Sequence, residues 1–360
     1  MLFNVDEMKE NQDLDTIENI KRTGMPVVVL GGGEVGQRVC AKLEKYGIKE
    51  IYVAVSEGYE VEGCYVSADI DRMLDAYILL PAFQEAYLSE DYSFNEFKYK
   101  KDIFYLCNLF YDEVEPIDKK FFLTHQDEFE EVFNALADEK SKQSMTEYLR
   151  AKLTDNTLGF RGLVERSQYF SGDFIKLKSD EVLVDCGAYD GDSIRDFLKA
   201  TGGRYGSIYA FEPDETNLKE LKAYVSDNGL KNVKVYPYGA YDYATELHFA
   251  ANNGKSSRID ECSETIIKTE AIDNILNGQR VTFIKMDIEG SEVKALMGAQ
   301  NSIKKYRPIL AICAYHKADD IYEIYRVINE LSKDYKFYFR LYRAFVLEAV
   351  LYAVPVERLK

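Results

Sequence analysis

VLVDCGAYDGDS, residues 182–193, sets an apolar run against a glycine turn that carries several acids. An apolar run without alternation suits a central parallel strand covered on both faces. Gly187 and Gly191 allow the chain to turn sharply, and Ser193 to Ala200 then reads as a helix. Far upstream, VVVLGGGEVGQR at 27–38 repeats the pattern of strand, glycine turn and helix. Two such units in one chain predict an α/β protein with two Rossmann-like domains.

Length agrees, since 360 residues is about two domains of ~150 residues. The net charge of −17, from 45 basic and 62 acidic side chains, argues against nucleic acid as a partner. The six cysteines form no CxxC and no zinc spacing, so they read as reduced thiols, three of them in apolar runs. The N-terminus is acidic and lacks an apolar signal region, and no apolar run reaches membrane-spanning length, about 18 residues or more. A cytoplasmic protein is expected.

Three regions follow along the chain. Residues 1–118 form the N-terminal Rossmann-like domain, with strands at Pro26–Leu30 and Ile51–Val55 and apolar segments at Ala76–Leu80 and Ile103–Phe110. Residues 119–174 are a helical connector whose apolar residues recur at helical spacing, with a break near Lys140 and Ser141. Residues 175–360 alternate strands and helices. The strands are Val182–Asp185, Ser207–Phe211, Val233–Tyr236, Val281–Met286 and Ile309–Ala314, and Tyr335–Leu341 with Val346–Val354 make a terminal β-hairpin.

Ligands of open α/β sheets sit beyond the carboxyl ends of the strands. Asp185, Asp190 and Asp192 at the first such end would repel a pyrophosphate, each close like-charge contact costing on the order of 1–4 kcal/mol. A cationic ligand such as S-adenosylmethionine, with its sulfonium and ammonium groups, is favoured instead. Glu212 follows the glycine turn by about 20 residues, the position of a ribose-hydroxyl acceptor. Pro213 ends that strand, and Gly239 with Ala240 leaves room for a flat adenine ring. The fourth strand, in VTFIKMDIEGSEVKAL at 281–296, ends in Lys285, Asp287 and Glu289 before Gly290.

VDCGAYDGDS, YAFEPDETN, TEAIDNIL and IKMDIEGSE, in this order and spacing, resemble the FkbM-type methyltransferase family over roughly residues 165–355. One departure is Tyr189-Asp190-Gly191, where many members carry an Asn-Ile-Gly type sequence. The resemblance implies a class I methyltransferase fold and S-adenosylmethionine-dependent O-methylation of a hydroxyl on a sugar, glycoconjugate or natural product. The expected cofactor set is Asp185, Gly187, Ala188, Tyr189, Gly191, Asp192, Ser193, Glu212, Pro213, Gly239, Ala240 and Asp287.

A hydroxyl is a poor nucleophile near neutral pH, so a base is expected. Asp287, Glu289 and His316 are the candidates, with Lys285 in the same catalytic cluster. His125 and His248 have no motif context. After the fifth strand acids return only at Asp319 and Asp320, so no metal set is read. The acceptor is a small molecule or glycan shaped by loops such as Asn252–Cys262, and self-association is left open.

The upstream turn holds GxGxxG as Gly31, Gly33 and Gly36, with Arg38 in the first helical turn and Ser56-Glu57 ending the next strand. It is compatible with NAD or a nucleotide-sugar, or with a turn kept for packing alone. The rival functional reading is an oxidoreductase or binding protein run from this turn, with a non-catalytic C-terminal domain.

Overall fold

The computed structural model describes residues 4–5, 8–56, 58–59, 61–110, 112–170, 173–250, 258–259 and 265–360. The chain divides into two compact units. One is Met1–Thr124, Gln143–Val164 and Arg343–Leu347; the other is His125–Lys142, Glu165–Tyr342 and Glu348–Lys360. The stretch 119–174 is thereby shared between them.

The first unit holds a parallel sheet. Its strands are β1 (Val27–Leu30), β2 (Ile51–Val55), β3 (Tyr65–Val66), β4 (Tyr77–Pro81) and β5 (Lys100–Ile103), in the order β3-β2-β1-β4-β5. β1 and β4 are buried along their whole length, as their unbroken apolar sequences require of central strands. The helix after the glycine turn starts at Glu34 and lays Val39 and Leu43 into the core.

The second unit is built on a seven-stranded sheet. Five strands are parallel: β6 (Val182–Cys186), β7 (Ser207–Phe211), β8 (Val233–Tyr236), β13 (Phe283–Met286) and β14 (Ile309–Cys313). The terminal hairpin, β15 (Tyr335–Leu341) and β16 (Ala349–Pro355), adds to β14 through the antiparallel β16. The order is β15-β16-β14-β13-β6-β7-β8. Side chains such as Leu183, Phe211, Ile284 and Leu310 are fully buried, each contributing about 1.5–3 kcal/mol of apolar transfer.

Two features differ from expectation. A second sheet, β11-β10-β12-β9, comprises β9 (Gly239–Tyr241), β10 (Thr245–Ala250), β11 (Arg258–Ile259) and β12 (Ile266–Ala271). Gly239 and Ala240 therefore lie in a strand rather than in a loop beyond β8. β12 buries Ile267, Thr269 and Ala271 and leaves Lys268 exposed and Glu270 half-buried, the alternation of a one-faced strand. The break in the connector also falls earlier than Lys140. One helix ends at Ala135 and the next begins at Glu139. Between them Leu136 bridges Phe337, Ala137 N–H donates to the Phe337 carbonyl, and Asp138 accepts from Ser141 N–H at 2.7 Å. Strand pairing thus follows the end of the first helix, and the Asp138 side chain caps the start of the second.

Cys40, Cys64, Cys107, Cys186 and Cys313 are free thiols, the last three buried. Among the described residues no helix is long and apolar enough to cross a membrane.

Candidate active site

Strand register builds the site. Lys285 on β13 faces Asp185 on β6, and the two charges meet at 3.3 Å, almost wholly buried. Lys285 Nζ also donates to the Gly187 carbonyl at 2.6 Å. Burial pushes the Asp185 carboxyl up to about 6, although Lys285 pulls the other way. Burial works to lower the Lys285 ammonium, but Asp185 and Asp287 prevail and raise it.

A cavity of about 250 Å³ opens at the carboxyl ends of β6, β7 and β13 and against the second sheet. Its wall carries the carboxylates of Asp192, Glu212, Asp287, Glu289 and Glu348, with Lys285 as the lining cation. Phe211, Leu247 and Ile267 give it apolar faces.

The wall is also where backbone strain collects. Leaving aside Asn and Asp, which tolerate the left-handed region, the described non-glycine residues with positive φ are Tyr169, Tyr189, Glu289, Arg307 and Glu348. All but Arg307 line the cavity. Such conformations cost on the order of 1–3 kcal/mol each and gather at functional sites.

Glu212 ends β7 with its carboxylate turned to the turn after β6. One oxygen accepts Tyr189 N–H at 2.8 Å and the other Asp214 N–H at 2.9 Å. Burial pushes it up to about 7 despite those bonds. Asp287 accepts Tyr169 O–H at 3.2 Å and Tyr315 O–H at 3.1 Å. Burial would raise it, but Lys285, His316 and the hydroxyl donors hold it below the usual carboxylate range. Glu289 is pushed up to about 7, chiefly by burial and against the pull of His316.

Residues 185–338 match the family model of the methyltransferase FkbM domain. This stretch is similar to an FkbM methyltransferase domain. The whole chain is similar to a crystal structure of methyltransferase FkbM from Methylobacillus flagellatus, with a TM-score of 0.67 at 21% identity over 96% of this chain and 94% of that one. At that identity the likeness establishes the fold. An rRNA methylase from Streptococcus thermophilus is similar over 50% of this chain and 89% of its own, at 13% identity and a TM-score of 0.33. No curated protein matches the sequence.

Within this matched stretch the structure gathers Gly187, Tyr189, Asp192, Ser193, Glu212, Pro213, Gly239, Ala240, Lys285, Asp287 and Glu289 around the cavity. It does not bring Asp185, Ala188, Gly191 or His316 to the wall. Asp185 is fully buried behind it on Lys285, and Ala188 N–H is tied to the Phe211 carbonyl. Gly191 packs on Tyr224, where a Cβ would meet the ring at 2.8 Å. Asp190 pairs with Arg195 at 2.7 Å, so of the three loop acids Asp192 alone faces the cavity. The acidic character expected of the site holds, but Glu212, Asp287, Glu289 and Glu348 supply most of it. His316 lies among Glu292, Glu289 and Asp287, and burial, which would lower it, is overcome by them to about 10.

Tyr169, Glu348, Tyr241, Thr269 and Asn217 also line the cavity and were not read from the sequence. Tyr169 lies in the stretch read as connector and Glu348 in the hairpin connection, so no motif marks either. Of the loop Asn252–Cys262, Arg258 and Ile259 alone lie among the described residues, and Glu57 lies outside them.

In the first unit, a Cβ on Gly36 would meet the Gly31 carbonyl oxygen at 1.8 Å and one on Gly31 the Ala82 carbonyl oxygen at 2.6 Å. Gly33 has open space. Arg38 pairs with Glu34, Asp112 and Glu113 and lies over the Phe110 ring.

Proposed function

We propose that the FkbM-like domain transfers the methyl group of S-adenosylmethionine to a hydroxyl of a sugar, glycoconjugate or natural product. The observation that carries this reading is the ring of carboxylates around one cavity at the strand ends, with its lining lysine already committed to Asp185 and Gly187. Such a wall suits a ligand that bears positive charge and hydroxyl groups, and it disfavours phosphate.

Glu212 keeps free lone pairs for ribose hydroxyls beyond its two backbone bonds. Asp192 and Asp287 would face the cationic end of the cofactor, and Phe211 and Ile267 its adenine. When bound, S-adenosylmethionine supplies an electrophilic methyl group on sulfur. The chain's own work is to hold an acceptor oxygen close and in line, and to take its proton. Glu289 is the base in this reading: it lines the cavity, and its left-handed backbone fixes where its carboxylate emerges. Asp287, held below the usual carboxylate range chiefly by Lys285, acts through charge. Lys285 and Asp185 position the turn between them. The strongly acidic chain and cavity favour neutral or cationic acceptors over nucleic acid.

The test is calorimetry with S-adenosylhomocysteine, followed by turnover of radiolabelled S-adenosylmethionine with pools of hydroxylated glycans and natural products. Glu289→Gln is expected to retain S-adenosylhomocysteine affinity and lose turnover. Absence of S-adenosylhomocysteine binding overturns the cofactor assignment. Undiminished turnover in Glu289→Gln overturns the base assignment.

A further inference from the structure

The sequence yields no metal set, yet the fold assembles one. Asp287, Glu292 and His316 each place one ligand atom so that all lie within 4.8 Å of one another. They come from three places: the loop after β13, the helix Glu292–Gly298 that follows it, and the residues beyond β14. Glu289 joins them, its Oε2 lying 3.5 Å from His316 Nε2.

A cluster of acids around a histidine can be a plain ion pair. Two observations point further. Glu292 is fully buried, and its Oε2 has no hydrogen-bond partner; its Oε1 accepts Ile288 N–H. His316 is 6% exposed, and neither ring nitrogen makes a hydrogen bond of acceptable geometry. Nδ1 lies 3.2 Å from Glu292 Oε1 but off the line of a hydrogen bond. The second observation is spacing. Nε2 lies 3.4 Å from Asp287 Oδ1 and 3.5 Å from Glu289 Oε2. Charge-assisted hydrogen bonds are shorter, about 2.7–2.9 Å. Two donor atoms sharing a cation, each bonded at about 2.1 Å and set near a tetrahedral angle, stand ~3.4 Å apart, which is the separation of Asp287 Oδ1 from Nε2, the ring nitrogen that would face the cation.

We propose that Asp287, Glu292 and His316 bind a divalent transition-metal cation beside the cavity, with Glu289 in reach as a further ligand. The imidazole donor favours manganese or zinc over magnesium, which prefers an all-oxygen shell. Charge agrees with the geometry: Asp287, Glu289 and Glu292 surround a single imidazole. Asp287 is both a ligand and part of the cavity wall, so the cation would stand next to the acceptor hydroxyl. That last step rests on the methyltransferase reading; the cation site itself does not.

The full-length protein, stripped with chelator, is titrated with Mn²⁺ while the electron paramagnetic resonance signal of free aqueous Mn²⁺ is followed. Zn²⁺ is titrated separately by calorimetry. About one equivalent of either ion should bind, and Glu292→Gln and His316→Gln should each weaken binding at least tenfold. Circular dichroism identifies a variant that has failed to fold, in which case Asp287→Asn takes its place. Binding of neither ion to the folded wild-type chain overturns the proposal, as does binding unchanged in the folded variants. S-adenosylhomocysteine affinity, measured on the same metal-free sample, reports on the methyltransferase reading alone, so the two can fail separately.

Discussion

Asp185 and Lys285 face each other across the β6–β13 ladder, and their charges meet at 3.3 Å out of contact with solvent. Neither side chain has a better partner for its charge, and the lysine also holds the Gly187 carbonyl. Lys285→Met leaves Asp185 buried without its cation. Breaking a buried pair in this way costs about 3–5 kcal/mol. The pH dependence has a definite sign. Asp185 in the folded protein already sits at about 6, above the ordinary carboxylate value, and losing Lys285 raises it further. The ionised carboxylate destabilises the variant most above that raised value, and the penalty shrinks as pH falls through it and the group takes a proton. Chemical denaturation should show a large loss at pH 8 and a smaller one at pH 5.5. Asp185→Asn added to Lys285→Met should recover part of the loss at pH 8. A loss independent of pH would mean that the pair does not set the stability of this ladder.

Glu212 links cofactor binding to protons. Its folded value is about 7, raised mainly by burial. Ribose hydroxyls donate to the ionised form, so binding expels a proton wherever Glu212 is partly protonated. S-adenosylhomocysteine affinity should therefore weaken as pH falls from 8 to 6, and the binding heat near pH 6.5 should vary with the buffer's ionisation enthalpy. Glu212→Gln should remove both effects and weaken binding by ~10–100-fold, the scale of lost charge-assisted bonds. Calorimetry in two buffers decides it. A buffer-dependent heat that survives in the variant assigns the proton to another group.

What was legible in the sequence follows from what local pattern can encode. The unbroken apolar runs of β1 and β14 and the apolar starts of β6 and β13 announce buried parallel strands, and the acids placed at strand ends point to Glu212, Asp287 and Glu289. β12 escaped notice because its alternation is short and mixed with Lys268 and Glu270. Tyr169 and Glu348 reach the cavity through positive φ angles outside any motif. The His316 environment depends on Glu292 and Asp287 from the neighbouring β13 connection, a juxtaposition that strand order creates and spacing along the chain does not reveal. Asp185 follows the same pattern: its position at a strand end is visible, but its pairing with Lys285 depends on the register between β6 and β13.

Gly187 separates two demands on a glycine. It has φ +75°, and a Cβ there would meet the Asp287 carbonyl oxygen at 2.0 Å. Gly202 has a similar backbone, φ +60°, with nothing within 4 Å. Gly202→Ala should cost only the left-handed backbone, about 1–2 kcal/mol. Gly187→Ala adds an overlap with fixed backbone and forces the ends of β6 and β13 apart. It should destabilise clearly more than Gly202→Ala in denaturant titrations and abolish S-adenosylhomocysteine binding. Equal costs for the two would show that the β6–β13 contact yields easily.

The glycine turn of the first unit makes the opposite case, because its fingerprint glycines can be separated by what crowds them. In a dinucleotide site the second glycine lets the pyrophosphate approach and the third lets the helix pack on the strand. Gly36 is the third here, and its Cβ would fall 1.8 Å from the Gly31 carbonyl oxygen. Gly33 is the second, with φ −82° and open space around it. Arg38, the cation nearest the turn in sequence, is occupied by Glu34, Asp112 and Glu113, and Glu34 puts negative charge in the helix's first turn. The expected result is a turn kept for packing. Gly36→Ala should unfold the first unit, Gly33→Ala should stay within about 0.5 kcal/mol of wild type, and NAD should give no binding heat. A heat with NAD that Gly33→Ala removes without loss of stability would make this turn a nucleotide site.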